Sequence, residues 1–255
     1  MKEKKESIIQ GLAGLIVLII GIVLCIKNYV QKGNAAYSIS MFVALAGAVI
    51  LIAGIYNLCT KKERAEVDVK VLAQAALCAA LCYIGATFIK IDIPVGTEKT
   101  MFHFGNVFCV LAALLLGGTW GGLAGAVGMT ISDLTTSYVT SAPKTFLLKL
   151  CIGLIVGFVA HRLFHISKDH PAKYVTIATI VSSICGMAFN VVADPIVGYF
   201  YKTYLLGVQQ DLAKALAKVG AVTTSVNAVI AVVVATALYL ALRPVMKKSD
   251  MLRDL

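Results

Sequence analysis

Charged and amide side chains lie inside apolar stretches of this 255-residue sequence. Asp133 and Asp194 supply carboxylates there, and Lys149 supplies an ammonium group. Asn190 and Asn227 add carboxamides, which both donate and accept hydrogen bonds. A charge at the centre of a bilayer costs roughly 2.5 kcal/mol or more, so such residues indicate a function or a partner. Together these side chains suit the recognition of a polar small molecule.

Composition places these side chains in a membrane protein. Hydrophobic residues make up 59% of the chain, charged residues make up 14%, and the mean hydropathy is +0.87. Since roughly 20 apolar residues cross the hydrocarbon core, the sequence predicts an all-α polytopic protein with eight spans, two of them joined by a minimal turn at Gly117. The predicted spans are 8 to 26, 37 to 59, 70 to 89, 104 to 116, 118 to 133, 145 to 163, 173 to 200 and 219 to 242.

A charged run, CTKKERAEVDVK at residues 59 to 70, divides the chain into two predicted domains. Residues 1–66 form a two-helix transmembrane extension. Its first helix is retained, because the apolar run is too long for a signal peptide and no cleavage site follows. Residues 67–255 form a six-helix transmembrane domain, called the body here, which carries all five polar residues. The seven cysteines lie in apolar runs without metal-ligand spacing, so neither a metal nor a cofactor is expected.

The net charge of +10 is explained by membrane orientation, because the basic residues occupy loops between spans instead of one continuous face. With the N-terminus in the cytoplasm, 14 Lys and Arg residues lie on the inner side, and nine lie outside or within the membrane. This bias and the even number of spans predict that both termini are cytoplasmic.

A glycine-rich stretch, GGTWGGLAGAVGMTISDL at residues 117 to 134, predicts close helix packing. Stripes without side chains let helices approach closely in lipid, so we predict that this span packs tightly and antiparallel against the next one. Five glycines share one helical face, namely Gly118, Gly121, Gly122, Gly125 and Gly128. The next span offers Lys149, Gly153, Gly157 and His161 at successive i+4 steps.

The five polar residues come from four spans, yet the predicted topology places all of them in the outer half of the membrane. In residues 173 to 200, Asn190 and Asp194 share a face, and Pro195 frees a backbone carbonyl. This pattern predicts a helix with a broken outer half. Independent packing residues are not expected to share one depth, so we predict a single ligand site.

We interpret Lys149 and Asp194 as a buried pair that ligand binding rearranges. Simpler interpretations stay open for single residues. Asp133 fits a solvated helix end, Lys149 can extend outward to the interface, and Asn227 fits an interhelical hydrogen bond.

Three long outer connections complete the predicted site. IDIPVGTEKTMFHFGN contributes Lys99 and Asn106, and the connection TTSYVTSAP and its following residues contribute Tyr138 and Lys144. YKTYLLGVQQDLAKALAK precedes the last span, which is predicted to begin near Val219. Aromatic residues of these connections are expected to line the site of a ring-containing ligand. An aromatic belt at the membrane interface would give the same pattern and is the alternative interpretation. These aromatic residues are Phe102, His103, Phe104, Tyr138, Tyr199, Tyr201 and Tyr204.

Three stretches and an asparagine in the last span carry a family likeness: VLAQAALCAALCYIGATF, FGNVFCVLAALLLGGTWGGLAGAVGMTISDL and SAPKTFLLKLCIGLIVGFVAHRL. Residues of about 70 to 245 resemble the substrate-binding S components of energy-coupling factor (ECF) vitamin transporters, nearest to the riboflavin-type group. The resemblance implies that a bacterial plasma-membrane protein captures a water-soluble vitamin or related metabolite from outside. The first outer loop and the loop before residue 145 would close over the ligand.

The resemblance also implies partners. Ala75 with Ala79, and Ala76 with Ala80, would pack against a transmembrane coupling subunit driven by two ATP-binding-cassette subunits. The sequence contains no G-x-x-x-x-G-K-[ST] phosphate loop, in agreement with ATP hydrolysis on another chain. Residues 1–66 depart from the family core, and nothing beyond membrane anchoring is predicted for them.

A self-sufficient, proton-coupled secondary transporter is the main alternative, with Asp133 or Asp194 as the proton carrier. An enzyme is not expected, because the four histidines contain no H-E-x-x-H motif and three of them lie on the predicted inner side. The polar convergence argues against a scaffold without ligand. The substrate stays open among riboflavin, a pyridoxine or pyrimidine precursor, and a nucleoside-like compound.

Overall fold

The computed structural model describes residues 2–31, 34–59, 68–249 and 251–252. Helices dominate it, and one β-hairpin interrupts the series after the third helix. The helices are α1 (Lys2–Lys27), α2 (Ala35–Cys59), α3 (Val69–Thr87), α4 (Gly105–Thr135), α5 (Ala142–Gly157), α6 (Ala172–Phe200) and α7 (Gln210–Lys248). The strands are β1 (Lys90–Val95) and β2 (Glu98–His103), and π-helical segments extend α5 over Phe158–Leu163 and α6 over Tyr201–Leu205.

The predicted all-α membrane architecture is confirmed. Within the described residues, six helices are long and apolar enough to cross a membrane, and the apolar part of α2, Ala35–Leu51, is shorter. The helix α4 contains both spans predicted on either side of Gly117. The protein is therefore a multi-pass membrane protein.

The chain reverses direction within α4 at Gly117. This residue has φ 80° and ψ 174°, a conformation that glycine adopts far more readily than residues with a side chain. Residues 105–116 and 118–135 then run antiparallel, as two arms of one helical hairpin. A side chain at Gly121 would meet the backbone of Ala112, and one at Gly125 would meet Cys109. The minimal turn predicted from the sequence is confirmed.

The second arm of α4 packs backbone to backbone against α5. A Cβ atom at Gly157 would collide with Gly118, and one at Gly153 would collide with Gly122. The predicted close packing of these two helices is confirmed, and we call these four residues the glycine seam. The other glycines of the stripe face different neighbours. The second arm of α4 therefore contacts α5, the first arm of α4 and α3.

The β-hairpin was not predicted, and residues 90 to 103 were treated as a loop. Its strands pair antiparallel, with Val95 opposite Glu98, which leaves Gly96 and Thr97 as a two-residue turn. Gly96 has φ 62°, a left-handed conformation that tight hairpin turns require and glycine tolerates.

One predicted helix start and one predicted helix break were wrong. The last helix begins at Gln210 instead of near Val219, because the segment QDLAKALAK is rich in good helix formers although it is too polar for a membrane span. The predicted break near Pro195 is absent, and α6 continues through this proline to Phe200. Neighbouring helices and polar side chains can compensate the hydrogen bond that a proline removes.

The N-terminal helices α1 and α2 form a tight hairpin. Gly14 lies against Leu51, Gly21 against Ala44, and Gly47 against Leu18. The charged run that was predicted to separate two domains falls largely outside the described residues, so the domain division at 66 stays a prediction.

Candidate functional site

A polar chamber lies between α4, α5, α6, α7 and the β-hairpin. Its volume is about 120 Å³, and its lining also includes Tyr138, Ser141 and Lys202. The structure brings all nine predicted substrate-binding residues to its lining, and they are Lys99, Asn106, Asp133, Tyr138, Lys144, Lys149, Asn190, Asp194 and Asn227.

The β-hairpin covers the chamber and is fixed to α7. Asn227 is 4% exposed, and its side chain accepts a hydrogen bond from the His103 backbone N–H at 3.1 Å and donates to the Met101 carbonyl at 3.2 Å. The hydroxyl oxygens of Thr100 and Thr223 lie 3.2 Å apart beside this contact. The interhelical bond considered for Asn227 is therefore a helix-to-hairpin bond.

Tyr138 fixes the other side of the hairpin. Its hydroxyl oxygen lies 3.0 Å from Asp92 Oδ1 and 3.2 Å from the Thr100 carbonyl oxygen. Lys99 donates to Asp92 Oδ2 at 3.3 Å, and its ammonium group lies 5.5 Å from the centre of the Tyr138 ring. Burial raises the pKa of Asp92, but the Tyr138 hydroxyl and then the nearby lysines outweigh burial and lower the pKa below its ordinary value.

Lys149 contacts Asn106, not Asp194. Lys149 is 7% exposed, and its Nζ donates to Asn106 Oδ1 at 2.9 Å. The carboxylate of Asp194 instead pairs with Lys144 Nζ at 2.8 Å and accepts from the Thr224 hydroxyl at 3.2 Å. The interpretation of Lys149 and Asp194 as a direct pair was therefore wrong, because Lys144 lies closer to the carboxylate. Lys149 lies inward, so its extension to the interface is also excluded.

Asp133 is buried at the end of α4. It is 3% exposed and accepts a hydrogen bond from the Thr145 hydroxyl at 2.5 Å. The solvated helix end considered for this residue is therefore wrong. The contact joins α4 to α5 at the chamber, beyond the glycine seam.

Asn190 presents a free acceptor to the chamber. The residue is 1% exposed, and its Oδ1 has no hydrogen-bond partner among the described residues. A buried amide oxygen without a partner costs about 1 to 3 kcal/mol, unless another molecule satisfies it. A ligand that donates a hydrogen bond can do so here.

His103 lines the chamber, where it was predicted only as part of an aromatic cover. It is 8% exposed, and its Nδ1 accepts the Gly105 backbone N–H at 3.1 Å, which satisfies a donor in the first turn of α4. Burial, followed by the charge of Lys149, lowers the pKa of His103 to about 3, so the ring is neutral at neutral pH.

The predicted aromatic walls were largely wrong. Of the seven aromatic residues, Tyr138 and His103 line the chamber. Tyr204 is 65% exposed, and Phe102 lines a separate apolar groove beside α7. Tyr201 packs in a buried cluster with Tyr37 of α2. An interfacial or packing role accounts for these three.

Other chamber residues were missed in the sequence. Thr223 and Thr224 lie four and three residues before Asn227 on the same face of α7, which is a signal available from spacing. Met129 lies one turn before Asp133 on α4, and its apolar side chain gave no signal. Lys202 was regarded as a loop charge, but it lines the chamber and pairs with Glu98 at 3.0 Å.

The four alanines predicted to bind a partner fall on two faces of α3. Ala75 is buried in the core, and Ala79 lies against Gly128 of α4. Their assignment to a partner surface was therefore wrong, since α4 occupies that face. Ala76 and Ala80 are exposed on a neighbouring face of α3, so they alone keep this assignment as a prediction.

Within the described part of the chain, no group of three or more His, Cys, Asp or Glu residues is arranged to hold a metal ion. The available chemistry is hydrogen bonding and charge. Cationic donors come from Lys144 and Lys149, acceptors come from Asp133, Asn190 and Asp194, and apolar contacts come from Met129, Leu148 and Leu216.

The fold and the chamber define a class, a multi-pass membrane protein with a polar chamber between its helices. The family model described as ECF-type riboflavin transporter, S component, matches residues 66–244. The chain belongs to this family, and the resemblance noted in the sequence is confirmed. By its description, this family is one of transporter components.

The chain is also similar to an uncharacterized protein in gap 3′ region of Pyrococcus woesei. The two are 32% identical over 75 residues, which cover 29% of this chain and 50% of the relative. The chain thus spans about half the length of this curated relative. No solved structure matches the chain significantly.

Proposed function

We propose that the protein captures riboflavin, or a vitamin-like molecule of similar chemistry, from outside the cell in this chamber. The observation that carries the proposal is the convergence of nine polar side chains from several elements on one chamber. One of them, Asn190, offers an acceptor without a partner among the described residues.

The chamber chemistry suits a flavin-like ligand. The pyrimidine edge of riboflavin carries carbonyl acceptors and an imide N–H donor, and its ribityl chain carries hydroxyl groups. Lys149 can donate to a carbonyl, and Asn190 can accept from an N–H or hydroxyl group. Met129 and Leu148 offer apolar contact to a flat ring.

Ligand entry requires movement of the cover. The chamber of about 120 Å³ is smaller than the roughly 300 to 1,000 Å³ of typical small-molecule sites. The β-hairpin is held by side-chain contacts to Asn227 and Tyr138, which can break and form again. We therefore propose that the hairpin is the element that closes over the ligand.

The proposal includes ATP-driven uptake through partner subunits. A coupling subunit would bind the face of α3 that carries Ala76 and Ala80, where small side chains allow close helix approach. Two ABC ATPases would supply the energy. The proposal also includes the predicted cytoplasmic location of both termini.

Riboflavin titration of the purified full-length chain tests the capture step. Flavin fluorescence is expected to be quenched saturably, and Asn190→Ala should weaken binding about tenfold through one lost hydrogen bond to a buried acceptor. Thr176→Ala is the control, because this partly exposed residue of α6 lies outside the chamber lining and its hydroxyl bonds only its own helix among the described contacts. Unsaturable quenching by the wild-type chain would refute riboflavin as ligand.

A proton-coupled secondary transporter is the second candidate, because the buried Asp133 has a neutral hydroxyl partner and forms no ion pair within the described residues. Such a transporter would accumulate riboflavin in vesicles that contain this chain alone, and an uncoupler would dissipate the gradient. An S component would bind riboflavin in those vesicles but would accumulate it only with its partners and ATP.

A further inference from the structure

The N-terminal hairpin lies against the back of one chamber wall. The ring of Phe42 in α2 contacts that of Phe146 in α5 edge to face, with centroids 5.8 Å apart and planes at 78°. Phe146 directly follows Lys144 and Thr145, which line the chamber. The same turn of α5 thus faces the chamber on one side and α2 on the other.

A second contact lies one turn earlier in α2. Tyr37 of α2 is 7% exposed and forms a buried cluster with Tyr201 and Leu206, which follow α6. The Tyr201 hydroxyl donates to the Thr140 carbonyl at 2.8 Å, and so ties this cluster to the segment before α5.

The second contact also adjoins the chamber. Lys202 follows Tyr201, lines the chamber and pairs with Glu98 in the hairpin cover at 3.0 Å. At both contacts the residue touched by α2 is therefore one or two positions from a residue of the chamber lining. A helix that served only as an anchor would need no buried contact at these positions.

We propose that the N-terminal hairpin is a brace that holds the chamber wall and its cover in the ligand-binding position, with Tyr37 and Phe42 as positioning residues. This inference rests on the proposed function for its effect on ligand release. Its structural part, the restraint of residues 138–146 by α2, does not depend on the identity of the ligand.

Hydrogen exchange of the full-length chain tests the restraint without any ligand. In Phe42→Ala, backbone amides of residues 138–146 should exchange several times faster than in the wild type. Ile39→Ala is the matched control, because Ile39 is on the same helix and 46% exposed. Equal exchange in the three proteins would overturn the brace.

Riboflavin release tests the functional part. An edge-to-face aromatic pair contributes enough for a change of about two- to tenfold, so riboflavin should dissociate faster by this factor from Phe42→Ala and Tyr37→Ala. Tyr37→Phe, which keeps the ring, should restore slow release, and Ile39→Ala should behave like the wild type. Release at the control rate from both alanine variants would overturn the brace.

Tyr201→Phe covers the case in which the alanine variants do not fold. It removes only the hydroxyl bonded to Thr140 and should speed both exchange of residues 138–146 and riboflavin release by about two- to fivefold. Unchanged exchange in this variant would overturn the part of the brace that acts through the Tyr37 cluster. Absence of riboflavin binding by the wild type would contradict the proposed function instead, and the exchange result would still decide the brace.

Discussion

The second arm of α4 and the helix α5 contact each other differently at their two ends. Near Gly117 they meet through the glycine seam, where Gly118 lies on Gly157 with no side chain between the helices. At the chamber end the contact is between side chains, where the Thr145 hydroxyl donates to Asp133. One pair of helices thus makes a backbone contact without side chains at one end and a polar side-chain contact at the other.

The difference shows how a membrane protein can hold polar groups at depth. Lipid gives helices little hydrophobic reason to associate, so close van der Waals packing must hold them together. The glycine seam supplies that packing away from the chamber. The polar residues at the other end are then free to serve a ligand, and they need not hold the helices together.

The largest effect is expected from blocking the glycine seam. Gly157→Val places a branched side chain against the backbone of Gly118, and overpacking of this kind costs about 3 kcal/mol or more when backbone must move. The variant should fail to yield a monodisperse protein, or should unfold at a much lower temperature.

Gly11→Ala is the control for this variant, because a Cβ atom at Gly11 meets nothing within 4 Å. Size-exclusion chromatography and thermal unfolding measure both. A Gly157→Val protein as stable as Gly11→Ala would show that the seam is not needed for helix association.

The next effect concerns the polar end alone. Lys149→Met removes the ammonium group that donates to Asn106 and keeps most of the side-chain volume. Riboflavin affinity should fall roughly 10- to 100-fold, since hydrogen bonds from charged groups contribute about 1.5 to 3 kcal/mol. The unfolding temperature should fall much less than in Gly157→Val.

Lys214→Met provides the comparison, because this lysine side chain is 57% exposed and its ion pair with Asp211 lies on the surface. Titration by fluorescence quenching gives both affinities. Unchanged affinity in Lys149→Met would mean that its charge serves the fold and not the ligand.

The smallest effect is expected from the pH dependence of the stability of the β-hairpin that covers the chamber. His103 has a pKa of about 3 in the folded protein, below its ordinary value of about 6.5, because burial disfavours the charged ring. The neutral ring therefore stabilises the fold fully above pH 6.5, and this contribution declines as the pH falls from 6.5 toward 3. Lys149 and Lys90 also disfavour the charge, and Asp194 favours it.

Riboflavin release should accordingly speed up several-fold between pH 7 and pH 5. His103→Asn keeps an acceptor for the Gly105 backbone N–H but does not titrate, so its release rate should depend less on pH. Identical pH profiles for the two proteins would assign the dependence to another group.

The sequence allowed the spans, the glycine seam and the convergence of polar residues to be predicted. These features depend on local spacing and on the cost of burying charge, both of which can be read along one chain. The β-hairpin also left a signal, because Gly96 and Thr97 separate two runs rich in β-formers, Ile91 to Val95 and Thr100 to Phe102.

The choice of partners within the chamber could not be predicted. Lys144 and Lys149 are five residues apart on α5, and both lie within reach of acidic or amide groups on other helices. Which lysine pairs with Asp194 depends on the rotation and shift of α5 against α6, and side-chain spacing does not specify these. The rotation of α3 against α4 likewise decides that Ala75 faces the core and Ala76 faces outward.

The reversal at Gly117 also has a consequence for membrane topology. Asn106 and Asp133 stand near opposite ends of α4, yet a turn of one residue returns them to the same side of the bilayer, whichever way the chain is inserted. Gly117 consequently lies toward the opposite side of the bilayer from both residues. A topology reporter placed in this turn should disrupt the pair, because the two arms pack closely beside it.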